Sequence, residues 1–266
     1  MKKIICTESY IKGKEEINHY ASFIIEPLDS GQSITFGNAL RRTLLSEISG
    51  YSITGIRINN LRHEFENSNQ IREDTLEIIL NIKEIIIKGP LFLRNRNFKS
   101  KIIVMLSVDG PAIITAGLLN ASIKKFSNFL NIINPSLYIC TLTNKSKFHL
   151  ELDITKSKGY KIAEKSKFIN LQTLMLPLRP CTILIDSIYT PVKQANFNIK
   201  KINDTKGNIK ESLCINILTN GAVTPLKCLK ESLKLLLELF FPFFLDSNFL
   251  ILYNKLRLRK NNKEND

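Results

Sequence analysis

Histidine and cysteine are scarce in this 266-residue chain, three and five respectively, and neither occurs in close pairs. His19, His63 and His149 stand alone, with no HExxH or comparable ligand spacing. Cys6, Cys140, Cys181, Cys214 and Cys228 are odd in number and include no CxxC, so neither a zinc site nor a disulfide framework is indicated. A reducing compartment fits. The signatures that cradle phosphate or present a nucleophile are missing too: there is no GxGxxG, GxxxxGK[ST] or GxSxG. No DxD pair is present to hold the two metal ions of nucleotidyl transfer. The expectation is therefore no catalytic residue, no metal and no cofactor on this chain; any chemistry belongs to another subunit. Uninterrupted apolar runs are also lacking. The start, "MKKIICTESYIKGKEE", is too short in apolar residues for a secretory signal. "LKLLLELFFPFFLDSNFLIL", from Leu233, is broken by Lys234, Glu238, Pro242 and Asp246, which argues against a membrane span. No internal repeat is visible.

What is present is globular. Hydrophobic residues make up 44% and charged residues 23%, enough for one large domain or two small ones with a real core. A net charge of +14 points to polyanions, or to an assembly that handles them. Abundant Lys, Asn and Ile carry the mark of AT-rich codons, and the positive residues are scattered. The densest clusters are "RNRNFKSK" from Arg94, "KSKGYKIAEKSK" from Lys156 and "KLRLRKNNK" from Lys255. The first two read as solvated loops and the third as a basic tail.

"SITFGNALRRTLLSEISG" predicts a short helix, with Asn38 as N-cap and Gly50 closing its end. Phe36, Leu40, Leu44 and Ile48 form one apolar stripe, with Leu45 at its edge. The far side carries Ala39, Arg42, Ser46 and Ser49. Either this is an ordinary core helix, or it is covered on two sides. Strands are expected at 20–28, 51–61, 182–201 (two) and 212–221, and mostly short β-segments up to about Ile154. "REDTLEIILNIKEI" reads as a helix with Leu76, Ile79, Leu80 and Lys83 at helical spacing. In "TPLKCLKESLKLLLELFF", Thr224 caps and Pro225 starts a helix expected over 225–240. Leucines at 226, 229, 233, 236 and 237, widened by Leu235, Leu239 and Phe240, cover most of its circumference. Such a helix is threaded through its own core or covered by a second subunit.

"ITFGNALRRTLLSEISGYSITGIRINNLRHEF" followed by "IREDTLEIILNIKEIIIKG" resembles the alpha subunits of bacterial-type RNA polymerase. "GPAIITAGLL", "NPSLYICTL", "GYKIAEK", "DSIYTPVKQANFNIKK" and "TNGAVTPLKCLKESLKLLL" follow in the family's order, so the resemblance covers roughly residues 20–245. It implies an α+β fold. A dimerisation domain would comprise 1–51 and 180–245, a mostly β insertion domain 52–179, and a basic tail 246–266. It implies a homodimer held through Phe36, Leu40, Leu44, Ile48, Leu229, Leu233 and Leu236. Arg42 and Leu45 match positions that engage the beta subunit, and Lys83 and Ile185 match positions for beta-prime. Sigma factor and DNA would be reached only through the assembled enzyme, with no membrane partner. The family's C-terminal DNA-binding domain has no counterpart before Asp266. The forms "GPAIITAGL" and "GYKIAEK" are most similar to the plastid and cyanobacterial branch, which implies the plastid stroma, with bacterial cytoplasm as the alternative. Two rival readings stay open: a stand-alone basic nucleic-acid-binding protein, and a decayed alpha that no longer assembles.

Overall fold

A computed structural model describes residues 3–12, 17–59, 61–90, 101–126, 129–163, 182–203 and 208–245. The chain opens with β1 (Lys3–Lys12), β2 (Ile17–Leu28), α1 (Gln32–Ser46) and β3 (Ser49–Ile58). Then come α2 (Thr75–Lys83), β4 (Ile87–Lys88), β5 (Lys101–Asp109), β6 (Ala112–Thr115) and α3 (Ala116–Phe126). Short strands β7 (Asn131–Ile132) and β8 (Tyr138–Leu142) precede β9 (Lys147–Lys158) and β10 (Tyr160–Lys161). β11 (Ile183–Leu184), β12 (Ser187–Ile188), β13 (Val192–Asn203), β14 (Ile209–Thr219) and α4 (Pro225–Leu245) complete it. The fold is α+β, and the strand pairings are antiparallel.

Two separate hydrophobic cores organise these elements. The first lies on a four-stranded sheet in the order β1-β2-β14-β13. Alternate residues of β2 (Ala21, Phe23, Ile25) and of β14 (Leu213, Ile215, Ile217) point inward, as the two-residue strand period requires. Leu40, Leu44 and Ile48, together with Cys228 and Leu229 of α4, cover them. The second core lies on the sheet β5-β9-β3-β4-β7, with β11 beside β3. Phe148, Leu150, Leu152 and Ile154 of β9 supply its centre, and α2 and α3 close it. The outward pass moves from Ile48 in the first core to Ile53 in the second; the return pass moves from Ile185 in the second to Val192 in the first. The second unit is thus inserted between strands of the first. Its return seam falls after Ile185, later than the boundary at 180, because β11 adds to β3 with Ile183 opposite Ile56.

Several local expectations change. α1 begins at Gln32, six residues before Asn38, which lies exposed within the helix. Its cap is Gly31, left-handed at φ 84°, and the free N–H groups are met from far along the chain. Gly31 N donates to Glu211 Oε1 at 3.0 Å and Ser33 N to Oε2 at 3.3 Å. Gly50 does not close the helix. It is a residue of β3, and a Cβ there would sit 2.0 Å from the Tyr189 carbonyl oxygen, so close backbone approach is what requires glycine. α2 forms as expected, but Ile78, Ile79 and Ile82 are its buried face, while Leu76 and Leu80 look outward. α3 follows directly from β6, in a stretch where mostly short β-segments are expected. α4 continues through Pro242 to Leu245. The carbonyl that this proline leaves unbonded belongs to Glu238, an exposed residue that water can serve.

Candidate functional site

α4 changes character along its length. Its first turns pack against the first sheet, with Cys228 and Ser232 fully enclosed and Ser232 Oγ donating to the Leu229 carbonyl at 2.8 Å. Its last turns are bare: Leu237 is 69% exposed, Phe240 63% and Phe243 67%, with Leu239 and Phe241 beside them. The helix is core at one end and uncovered apolar surface at the other.

A second surface forms where the return pass crosses β3. Ile185 donates its N–H to the Thr54 carbonyl at 3.0 Å, and Ser187 Oγ donates to the Ile53 carbonyl at 2.8 Å. Between these two pinned residues stands Asp186. Its Oδ2 lies 3.6 Å from Lys83 Nζ, and its Oδ1 accepts from the Ala163 N–H at 2.7 Å. The Ala163 N–H, then Lys83 and the Tyr160 hydroxyl, hold its carboxyl below the usual carboxylate range. These groups surround a pocket of about 160 Å³ whose apolar walls include Ile82, Ile85, Ile185 and Ile188. A shallower groove of about 540 Å³ continues from Ile188 along Tyr51, Ile86 and Pro191 to Asn220, across the seam between the two units.

The inserted unit is recognisable by sequence as well as by its core. The model of the RNA polymerase Rpb3/RpoA insert domain family matches residues 56–190, close to the span of the second core. The DNA-directed RNA polymerase subunit alpha of Porphyra purpurea is 36% identical over 238 residues, covering 90% of this chain and 70% of that protein. The subunit of the same name from Cyanidium caldarium is 39% identical over 241 residues, with the same coverage. The chain belongs to the RNA polymerase alpha-subunit family.

As an alpha chain it distributes the expected contact residues unevenly. Leu40, Leu44 and Ile48 have no exposed surface and Leu229 has 2%, so these four serve the chain's own core and offer nothing to a second copy. Phe36, Leu233 and Leu236 are half-buried at the edge of that core. Arg42 is exposed and makes no ion pair with another described residue; Ile34, Asn38 and Arg41 are exposed on the same helix. Leu45 is half-buried against the first core. Lys83 stands at the mouth of the pocket, but Ile185 is only 4% exposed, so its side chain anchors the wall. The reachable apolar groups there are Ile188 and Tyr160, 69% and 57% exposed, which sequence reading missed. They are brought together by the β10–β12 pairing, in which Tyr160 faces Ile188, and no local pattern announces it.

The basic clusters are partly spoken for. Lys156 Nζ donates to the Pro90 carbonyl at 3.2 Å and sits 5.6 Å from the centre of the Tyr51 ring. Lys158 pairs with Glu47 at 2.8 Å and Lys101 with Asp153 at 2.7 Å. Residues 94–100 and the segment from Lys255 lie outside the described residues, as does Cys181. Among the described residues no group of three His, Cys, Asp or Glu is placed to hold a metal ion. No described helix is long and apolar enough to cross a membrane.

Proposed function

We propose that this alpha chain is a non-catalytic homodimeric scaffold on which the two large subunits of the polymerase are mounted. The observation that carries the reading is the bare end of α4. Five large apolar side chains between Leu237 and Phe243 lie uncovered in the single chain. A surface of that kind on a soluble subunit marks a protein interface, and a two-fold pairing would let the same patch cover itself. Phe36, Leu233 and Leu236 border it as half-buried supports.

The large subunits would then meet different faces of each protomer. The open side of α1, with Arg42 and the edge of Leu45, is proposed for beta. The Lys83 pocket, with Ile185 as its inner wall, is proposed for beta-prime. Sigma factor and DNA are reached through the assembled enzyme, and the protein works in the plastid stroma. Support for that location is the algal origin of the relatives.

Light scattering on the purified chain tests the scaffold reading. The wild type is expected to run as a dimer, and Leu237→Asp with Phe240→Asp as a folded monomer, since an unpaired carboxylate resists burial in an interface. The same variant should capture neither large subunit efficiently. A wild-type chain that stays monomeric at micromolar concentration would defeat the reading.

A further inference from the structure

The two units are joined by little more than the chain itself. Among the described residues, no helix or strand of one unit packs extensively on an element of the other. The joining passes are short. Ile48 is enclosed in the first core, while the next residue, Ser49, already pairs with Lys158 of β9 in the second unit. On the return, Tyr189 belongs to the inserted unit: its N–H donates to the Gly159 carbonyl at 2.9 Å, and its hydroxyl is bonded to Thr155 Oγ1 at 2.8 Å. Pro191 belongs to the first unit, its carbonyl accepting from the Asn220 N–H at 3.0 Å. Only Thr190 stands between them. The two joints lie side by side, because Gly50 meets the Tyr189 carbonyl. The two edges of β3 differ at this seam. On the β9 edge, Lys158 Nζ reaches Oε2 of Glu47, the C-cap of α1, at 2.8 Å. Glu231 of α4 faces the same flank: burial raises its pKa, and Lys156 and Lys158 are near enough to oppose that rise. On the β4 edge lies the groove of about 540 Å³, lined by Ile86, Asn134 and Leu137 of the inserted unit and by Pro191, Asn220 and Ala222 of the first.

We propose that this seam is a hinge, biased by the Glu47–Lys158 pair, about which the inserted unit takes one angle in the protomer that meets beta and another in the protomer that meets beta-prime. The assignment of two angles to two partners rests on the scaffold reading; the hinge itself does not. Two neighbouring joints of about one residue each leave rocking about a single axis as the soft motion, and hinges are built from a few element-terminal residues of this kind. Relative motion of two units is the default where no large apolar interface ties them. The groove gives the inserted unit room to rock away from the ion pair. Both partners of that pair are half-exposed, so it biases the angle without locking it. One sequence can thereby meet two unlike large subunits.

The test places spin labels, carried on a non-natural amino acid, at Asn198 of β13 and Lys147 of β9, two exposed positions on different units. The doubly labelled full chain is mixed with excess unlabelled chain, and pulsed electron resonance reads the distance between labels, first free and then assembled with both large subunits. The free chain is expected to show two populated distances. Glu47→Ala or Lys158→Ala should shift their ratio by up to about fivefold, the most that an exposed pair supplies. Lys158→Arg, which keeps the pair, should leave the ratio unchanged. In the assembled enzyme both distances should persist, each narrowed, because a labelled chain enters either position. A single narrow distance in the free chain, unmoved by Glu47→Ala and Lys158→Ala, overturns the hinge. Two distances whose ratio neither substitution moves overturn the role of the pair. One distance common to both positions of the assembled enzyme overturns the assignment of different angles. A chain that fails to dimerise or to capture the large subunits counts against the scaffold reading alone, since the free-chain distances still decide the hinge.

Discussion

Glu211 caps a helix from a strand that lies on the other side of the insertion. Its carboxylate takes the N–H groups of Gly31 and Ser33, and those bonds, the Gly31 one foremost, hold its pKa below the ordinary 4.5. At pH values between its folded and unfolded pKa the unfolded chain binds a proton that the folded one refuses. The cap's contribution is therefore complete above about pH 4.5 and is lost as pH falls through the folded pKa. Glu211→Gln should lower the melting temperature at neutral pH and flatten its decline toward acid, which melts across the acid range would record. Asn38 looked like the cap because it is the right residue type before an apolar stripe. The true partner is a residue 180 positions from Gly31, which no window of sequence contains. Gly50 was misread for a similar reason: the Tyr189 carbonyl that excludes a side chain there arrives from the returning strand.

At the scale of elements, periodicity located α1, α2 and α4 but did not say which neighbour each face would meet. In α2 the run of Leu and Ile leaves two helical stripes equally apolar; β8 and β3 select the one with Ile78 and Ile82. In α1 the stripe was sound and its partner was the chain's own β13, β14 and α4. Leu44→Ala should accordingly cost about 2–5 kcal/mol of unfolding free energy in denaturant titration, while the native protein stays a dimer. A monomer that is no less stable would return Leu44 to the subunit interface. α3 was hidden because its first residues, "AGLL", follow the apolar run of β6 after a single Thr115, with no Gly or Pro between them to mark a change of element. Pro242 concealed the last turn of α4, since a proline inside a helix usually kinks or ends it.

The whole molecule carries a net charge of +14, and several of its described lysines already have partners. Lys101, Lys156 and Lys158 are tied to Asp153, Pro90 and Glu47, and Lys210 pairs with Asp29. The isolated alpha chain should therefore bind duplex DNA no more tightly than ordinary non-specific contact, about 10⁻⁴–10⁻⁶ M at physiological salt. Fluorescence anisotropy that gave nanomolar affinity would revive the stand-alone nucleic-acid reading. The order of the family's blocks along the chain is what the expectation of a discontinuous plan rests on. The exact return seam was not, since it depends on β11 adding to β3 by a pairing of only two residues.

The pairing of β2 with β14 also has a consequence for biosynthesis. Phe23 faces Ile215, and everything between them, including the inserted unit, must leave the ribosome before that ladder can form. Until then α1 lacks both the strand that fills its underside and the carboxylate that finishes its N-terminus. Closing so long a loop is entropically costly, and early folding of the insert, whose own pairings are complete by Ile188, shortens the effective distance. The nascent chain is thus expected to complete the inserted unit before α4, the helix proposed for dimerisation, can pack. In the proposed homodimer, the order of synthesis itself would then keep two half-made protomers from pairing.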